Sequence, residues 1–169
     1  MSEAVVALGS NLGEKSANLL VALQAISRLP GTKIRRISSI YACAPDGLPE
    51  GQCQEDYHNM AVTLETQMSP MALLGACLGI EAAMGRLRLA NVKNAARVID
   101  LDLLVYEGVK SESFELSLPH PRMLQRAFVL VPLKELYPSG RAPGIFFEPY
   151  LKEMDTSGCT RLEHRIEMN

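Results

Sequence analysis

The sequence predicts an α+β fold, the ferredoxin-like βαββαβ sandwich, in which an antiparallel sheet carries helices on one face. Three observations predict it. Segments of strand and helix periodicity follow one another in the order strand, helix, strand, strand, helix, strand. Two of the strands, "YHNMAVTLE" and "RVIDLDLL", are aliphatic on one side and polar on the other. No composition shift, internal repeat or low-complexity tract divides the 169 residues, so one domain spanning 1–169 is expected.

Residues 4–8, "AVVAL", read as a short buried strand closed by the turn and cap chemistry of "GSNLG". From about Glu14 to Leu29 the apolar residues Leu19, Ala22, Leu23 and Ile26 fall at helical spacing, and Pro30-Gly31 ends the segment. "TKIRRISSIYACAP" then reads as one extended strand running into the Gly- and Pro-rich loop Asp46 to Asp56. In the following strand Met60, Val62 and Leu64 share an apolar face, with Tyr57 and Asn59 on the reverse. Ser69-Pro70 supplies an N-cap and first-turn pair for a second helix with Leu73, Cys77, Ile80 and Met84 in a stripe, ended at Gly85.

A basic, irregular connection, residues 86–96, leads to the last strand of the plan. Period-two alternation puts Ile99, Leu101, Leu103 and Val105 on one face, and Asp100 and Asp102 on the other, about 6.6 Å apart. Beyond Tyr106 the signals weaken. "ELSLPHPRM" suggests a short strand and turn, "QRAFVLVPLKEL" an apolar helical segment ended by Pro138, and the tail 139–169 shows little periodicity. With two helices on one face, the other face of the sheet is expected to stay open and to present Tyr57, Asn59, Asp100 and Asp102.

Composition excludes several classes. Seventeen Lys and Arg against nineteen Asp and Glu leave a net charge of -2, so neither nucleic acid nor an anionic membrane is an expected partner. No apolar run approaches the ~20 residues that cross a bilayer. The N-terminus lacks a secretory pattern. Cys43, Cys53, Cys77 and Cys159 are scattered without C-x-x-C spacing, which points to ordinary free thiols in a reducing compartment, and hence to the cytoplasm.

Two anions side by side repel unless a cation intervenes. Asp100 and Asp102, with Glu81 on the nearby helix, suit a hard divalent cation such as Mg²⁺, which takes one or two carboxylates together with water and substrate phosphates. Two metals about 3.5 to 4 Å apart could share the pair and clamp a phosphoryl group. Taken alone, D-L-D on a strand is a weak signal, and an acidic solvated face accounts for it more readily than a metal does. Arg86, Arg88, Lys93, Arg97, Arg122 and Arg126 gather around these carboxylates in sequence, and guanidinium groups donate in pairs to phosphate oxygens. Capping of helix ends explains some of them as readily. "ALGSNLG" lacks both G-x-G-x-x-G and the G-K-S/T ending and reads as a tight turn. Tyr57 and Phe128 could sandwich a planar heterocycle, or pack in the core.

In order and spacing, "VALGSNLGEK", "DYHNMAV", "IEAAMGR", "KNAARVIDLDLL" and "LPHPRMLQRAFVLVPL" resemble the 6-hydroxymethyl-7,8-dihydropterin pyrophosphokinases of folate biosynthesis, from about residue 4 to residue 138. The resemblance implies transfer of pyrophosphate from ATP to the pterin hydroxymethyl group, with release of AMP. By matched position, Asp100 and Asp102 would bind two Mg²⁺ ions, and Arg86, Arg88, Arg97, His120 and Arg126 would hold the triphosphate, with Glu81 near the nucleotide. Asn59 would read the pterin edge, Tyr57 and Phe128 would flank its ring, and Cys43, Ala44, Pro45 and Asp46 would border it. Arg86, Arg97, Asp100 and Asp102 are the expected catalytic residues. A monomer working on these small molecules is expected.

The sequence departs from the family at three places. Where relatives commonly carry Trp and a Gly-Pro pair before the arginine at 97, this chain has Asn94, Ala95 and Ala96, so a lid aromatic is missing. Cys43 to Pro45 replaces a common Thr-Pro-Pro, and Leu78 and Gly79 stand where polar residues are usual. A non-catalytic ferredoxin-like module, in which arginines and carboxylates simply pair, and a two-metal nucleotidyl transferase are the competing readings.

Overall fold

In the computed structural model, residues 1–48, 50–86, 95–164 and 166 are described. The N-terminal strand β1 (Ser2–Ser10) is longer than expected because it is central, pairing antiparallel with β4 (Tyr57–Thr66) on one side and β5 (Asp100–Tyr106) on the other. A strand paired on both edges satisfies every backbone group, which is what allows "SEAVVALGS" to run through the middle of the molecule. On its outer edge β4 pairs with β2 (Thr32–Ile37) and then β3 (Tyr41–Cys43). The single long strand expected over this stretch is therefore two, divided at Ser38 and Ser39, whose side chains turn to backbone and carboxylate partners.

Helices α1 (Lys15–Ser27) and α2 (Pro70–Ala83) cover one face of the sheet. Leu19, Leu23 and Ile26 of α1 are fully buried against Met60, Val62 and Leu64 of β4, each burial stabilising by about 1.5–3 kcal/mol. Ser69 caps α2, its Oγ accepting from the Ala72 N–H at 3.2 Å. Apart from the division of the second strand into β2 and β3, the order through β5 is the βαββαβ that the sequence predicts.

The reverse face does not stay open along its length. Val6 pairs with Leu103 but Val5 with Val105, so Leu104 is an extra residue and the strand bulges there. The bulge sends both Leu104 and Val105 to the reverse face, which corrects the expectation that Val105 shares a side with Ile99, Leu101 and Leu103. Together with Val5 and Ala61 they form an apolar floor on which α3 (Ala127–Leu136) lays Val129, Leu130 and Leu133. The reverse face is thus covered at one end only.

Two short hairpins, β6 (Ser111–Glu112) with β7 (Ser117–Leu118) and β8 (Arg141–Ala142) with β9 (Ile145–Phe146), and the helix α4 (Glu148–Glu153) follow. The C-terminal segment, which shows little periodicity, is nonetheless built into the molecule. Phe147 is fully buried beneath α3, and β10 (Cys159–Arg161) adds an edge strand to the main sheet beside β3. Among the described residues no helix is long and apolar enough to cross a membrane.

Candidate active site

The site is the uncovered end of the reverse face. Along β1 the residues on that side are Ala7 and Gly9, with Gly9 directly between Asn59 of β4 and Asp100 of β5, and Ala7 beside Asp102. Small side chains in the central strand make a depression. A Cβ at Gly9 would lie 2.9 Å from Asn59 Oδ1, so only glycine leaves that amide in place. Above this floor opens a cavity of about 450 Å³, lined by the loop Ala44 to Leu48 and by Arg86, Arg97, Arg122 and Arg126.

The two carboxylates have different surroundings. Asp100 is held between two guanidinium groups: Arg86 Nη1 donates to Oδ1, and Arg97 Nη1 donates to Oδ2 at 2.6 Å. Burial acts to raise its pKa, but Arg97 and Arg86 outweigh burial and hold it below the usual carboxylate range. Among the described residues Asp102 meets only Arg126 Nη1, at 3.5 Å. Burial and then the charge of Asp100 push its pKa up, against the nearby His120, Arg126 and Arg86. Asp102 is an under-compensated anion aimed into the cavity. That is the electrostatic signature of a place for an added cation.

Among the described residues no group of three or more His, Cys, Asp or Glu side chains gathers as a metal site. A divalent ion here would lean on two carboxylates and on oxygens supplied by a ligand, which suits Mg²⁺ entering with a nucleotide. The donor set fits that ion.

Glu81 does not line the cavity. It lies beneath it, 1% exposed, with Oε1 accepting from Arg86 Nη1 at 2.5 Å and from the Leu101 N–H at 2.7 Å. From there it fixes Arg86 and the start of β5. His120 is placed by the bulge: its N–H donates to the Leu104 carbonyl at 2.7 Å, setting the ring near Asp102. Burial lowers the His120 pKa, with the Asp102 charge opposing. Arg126, at the start of α3, stands over the Phe128 ring at 5.4 Å.

Ala44, Pro45, Asp46, Tyr57, Asn59 and Phe128 also line the cavity. Asn59 is 4% exposed, and its Nδ2 has no hydrogen-bond partner among the described residues. A buried, unpaired amide donor facing a cavity costs about 1–3 kcal/mol until a ligand accepts from it. Cys43 does not line the cavity. It is bonded to Cys159, 116 residues away, with which it is in direct register across β3 and β10. This corrects the expectation of free thiols at these two positions and removes the support that cysteine usage lent to a reducing compartment. Cys53 and Cys77 are free. The bond escapes sequence reading because only the edge pairing of β10 brings the two residues together.

Sequence reading missed three contributors. Asn11, 3% exposed, accepts from the Arg97 N–H at 2.7 Å, donates its own N–H to the Arg97 carbonyl at 3.1 Å, and donates through Nδ2 to Gln54 at 2.9 Å. It thereby ties the arginine beside Asp100 to Gln54. Gln54 and Gly9 line the cavity as well. The Ser-Asn pair after Gly9 was the available signal, and its cap-like reading concealed it. Arg88, Lys93 and Asn94 lie outside the described residues; Ala95 and Ala96, where the lid departure falls, are exposed.

The profile of the 7,8-dihydro-6-hydroxymethylpterin-pyrophosphokinase (HPPK) family matches residues 5–138. The chain belongs to this family. Among HPPK relatives, the 2-amino-4-hydroxy-6-hydroxymethyldihydropteridine pyrophosphokinase of Methylorubrum extorquens is 39% identical over 163 residues, 96% of this chain and 100% of that one. The enzyme of the same name from Synechocystis is 42% identical over 135 residues, 80% of this chain and 66% of that one. In fold, the chain is similar to Plasmodium falciparum HPPK-DHPS, crystallised with SDX-DHP, at a TM-score of 0.67 and 16% identity. That alignment covers 95% of this chain and 47% of the other, so this chain spans just under half of the solved one. The HPPK domains share the ferredoxin-like plan seen here.

Proposed function

We propose that residues 1–169 form one catalytic unit that transfers the terminal pyrophosphate of ATP to 6-hydroxymethyl-7,8-dihydropterin in folate biosynthesis, giving the pterin diphosphate and AMP. The observation that carries this reading is the make-up of the cavity. It is lined by a buried amide with an unpaired donor and two aromatic rings, and also by arginines around paired carboxylates, one of them under-compensated.

The pterin lies between Tyr57 and Phe128, with its edge on the Asn59 amide and the segment Ala44 to Asp46 alongside. Arg86, Arg97, Arg126 and His120 hold the triphosphate, with Arg88 continuing that set. Asp100 and Asp102 would hold two Mg²⁺ ions, which would supply neutralisation of phosphate charge. The pterin hydroxyl oxygen forms the new bond to the β-phosphorus, the bond to the oxygen bridging the α- and β-phosphorus breaks, and the hydroxyl proton leaves to solvent. AMP departs with that bridging oxygen. Positioning and electrostatic stabilisation account for this chemistry without a strong general base. Arg86 and Arg97, which hold Asp100 here, also offer guanidinium donors to phosphate oxygens.

A soluble monomer in the cytoplasm, where ATP is abundant, is the setting this chemistry suits. Incubation of the chain with ATP, Mg²⁺ and the hydroxymethyl pterin, followed by separation of nucleotides, tests the reading. Pterin-dependent AMP is the expected product. Free pyrophosphate would indicate nucleotidyl transfer, and no AMP above a protein-free blank would leave only a binding module.

A further inference from the structure

Cys43 occupies a junction. On one side it pairs in register with Tyr57 of β4, which lines the cavity, and on the other with Cys159 of β10. The residues that follow it, 44–48, form the cavity wall, and the first of them is also tied to the tail, the Ala44 N–H donating to the Gly158 carbonyl at 3.2 Å. β10 is the outermost strand of the sheet and has β3 as its neighbour there. Its other anchors include Arg161 Nε, which donates to Ser39 Oγ at 2.9 Å, the Leu162 N–H, which donates to the Ile40 carbonyl at 2.9 Å, and the Leu162 side chain, which packs against the core. Two three-residue strands are held together by one covalent bond and a handful of hydrogen bonds. Removing the bond would loosen the edge on which the wall is hung.

We propose that Cys43 and Cys159 form a reversible thiol–disulfide site, opened by a soluble dithiol, that locks the cavity wall 44–48 to the C-terminal strand. The role of that wall toward pterin rests on the pyrophosphokinase reading above. The two sulfurs differ in access, since Cys43 is 2% exposed whereas Cys159 is partly exposed. A thiolate of the reductant therefore attacks Cys159 Sγ. The Cys43–Cys159 bond breaks, and the electron pair leaves on Cys43 Sγ, which takes up a proton. The second thiol of the reductant then displaces Cys159 as a thiol and closes its own disulfide. Two electrons pass from the dithiol to the protein, and the reverse exchange with an oxidised dithiol restores the bond. With the bond open, the wall must be ordered by the ligand instead of by the fold, which weakens binding by roughly two- to tenfold. Among the described residues Arg86, Arg97, Arg122 and Arg126 share no hydrogen bond or ion pair with β10.

The test uses the full chain in its oxidised form and after treatment with dithiothreitol. Peptide mapping of the oxidised chain should recover a fragment linking Cys43 to Cys159. Reduction should accelerate hydrogen exchange at the Ala44 amide and at residues 159–161, raise the pterin KM roughly two- to tenfold, and leave the ATP KM unchanged. Re-oxidation should reverse each change, and a C159A variant should be insensitive to the reductant. Absence of the linked fragment, or identical exchange before and after reduction, overturns the proposal, as does an equal pterin KM in both states of an active enzyme. A chain that makes no AMP in either state, yet shows the exchange response, overturns the pterin reading of the wall and supports the thiol site.

Discussion

Replacing Gly9 with alanine probes the floor of the site through a single methyl group. An ideal Cβ there lies 2.9 Å from Asn59 Oδ1 and 3.5 Å from Tyr57 Cδ1. The first distance is too short for carbon against oxygen, so something must move by a few tenths of an ångström. What gives way is the Asn59 amide, a side-chain end, rather than the β1–β4 pairing beneath it. The amide then turns away from the ligand it is poised to meet. Leaving one buried ligand group unpaired costs about 1–3 kcal/mol, which is roughly a 5- to 150-fold increase in the pterin KM. Stability should change far less, because the backbone ladder is kept. Initial rates of AMP formation with pterin varied at saturating ATP, and with ATP varied at saturating pterin, measure the two KM values; thermal melting controls for folding. A folded Gly9→Ala enzyme whose pterin KM stays within about twofold of the parent would refute the argument that Gly9 exists to leave room for Asn59.

Asp102→Asn should lower turnover by about a hundred- to thousandfold, while the metal-free protein melts at the same or a higher temperature, because it removes a buried anion that burial and Asp100 disfavour. Asp100→Asn should lose turnover and also melt earlier, since it breaks both the Arg86 and Arg97 pairs; equal melting of the two variants would contradict the asymmetry. Glu135 accepts from the Ser39 N–H, Ser39 Oγ and Tyr41 OH. Against burial, which would raise its pKa, these donors and Arg161 lower it from 4.5. A depressed folded pKa contributes stability above the unfolded value that is lost as pH falls through the folded one. Thermal melts should therefore place Glu135→Gln below the parent at pH 7, with the gap closing below pH ~4.5; a gap independent of pH would count against the assignment. Burial, with Glu81 and Asp102, pushes the Cys77 thiol up to about 12, whereas Cys53 is exposed. Iodoacetamide should alkylate Cys53 in the native oxidised chain and reach Cys77 only on unfolding, and native labelling at Cys77 would show that α2 opens locally.

Much of the fold is legible because period and hydrophobicity are local properties. Leu19, Ala22, Leu23 and Ile26 announce α1, and the alternation of Asp100 and Asp102 with Leu101 and Leu103 is enough to put both carboxylates on one face of their strand. The bulge at Leu104 is not legible, since it is a mismatch between two strands and neither strand records it alone. From it follow the cover provided by α3, the placement of His120, and the boundary between the covered and open halves of the reverse face. Asn11 escaped for a related reason. Its partners Arg97 and Gln54 are distant in the chain, and a polar residue after a glycine reads first as a turn.

By itself the sequence determined the order of elements, the sidedness of the strands and the family, because each depends on residue type at fixed spacing. Which carboxylate is compensated, which amide is left without a partner and which cysteines are joined were decided only in the tertiary structure. These are properties of distance and burial, and they come into being when strands far apart in the chain are brought edge to edge.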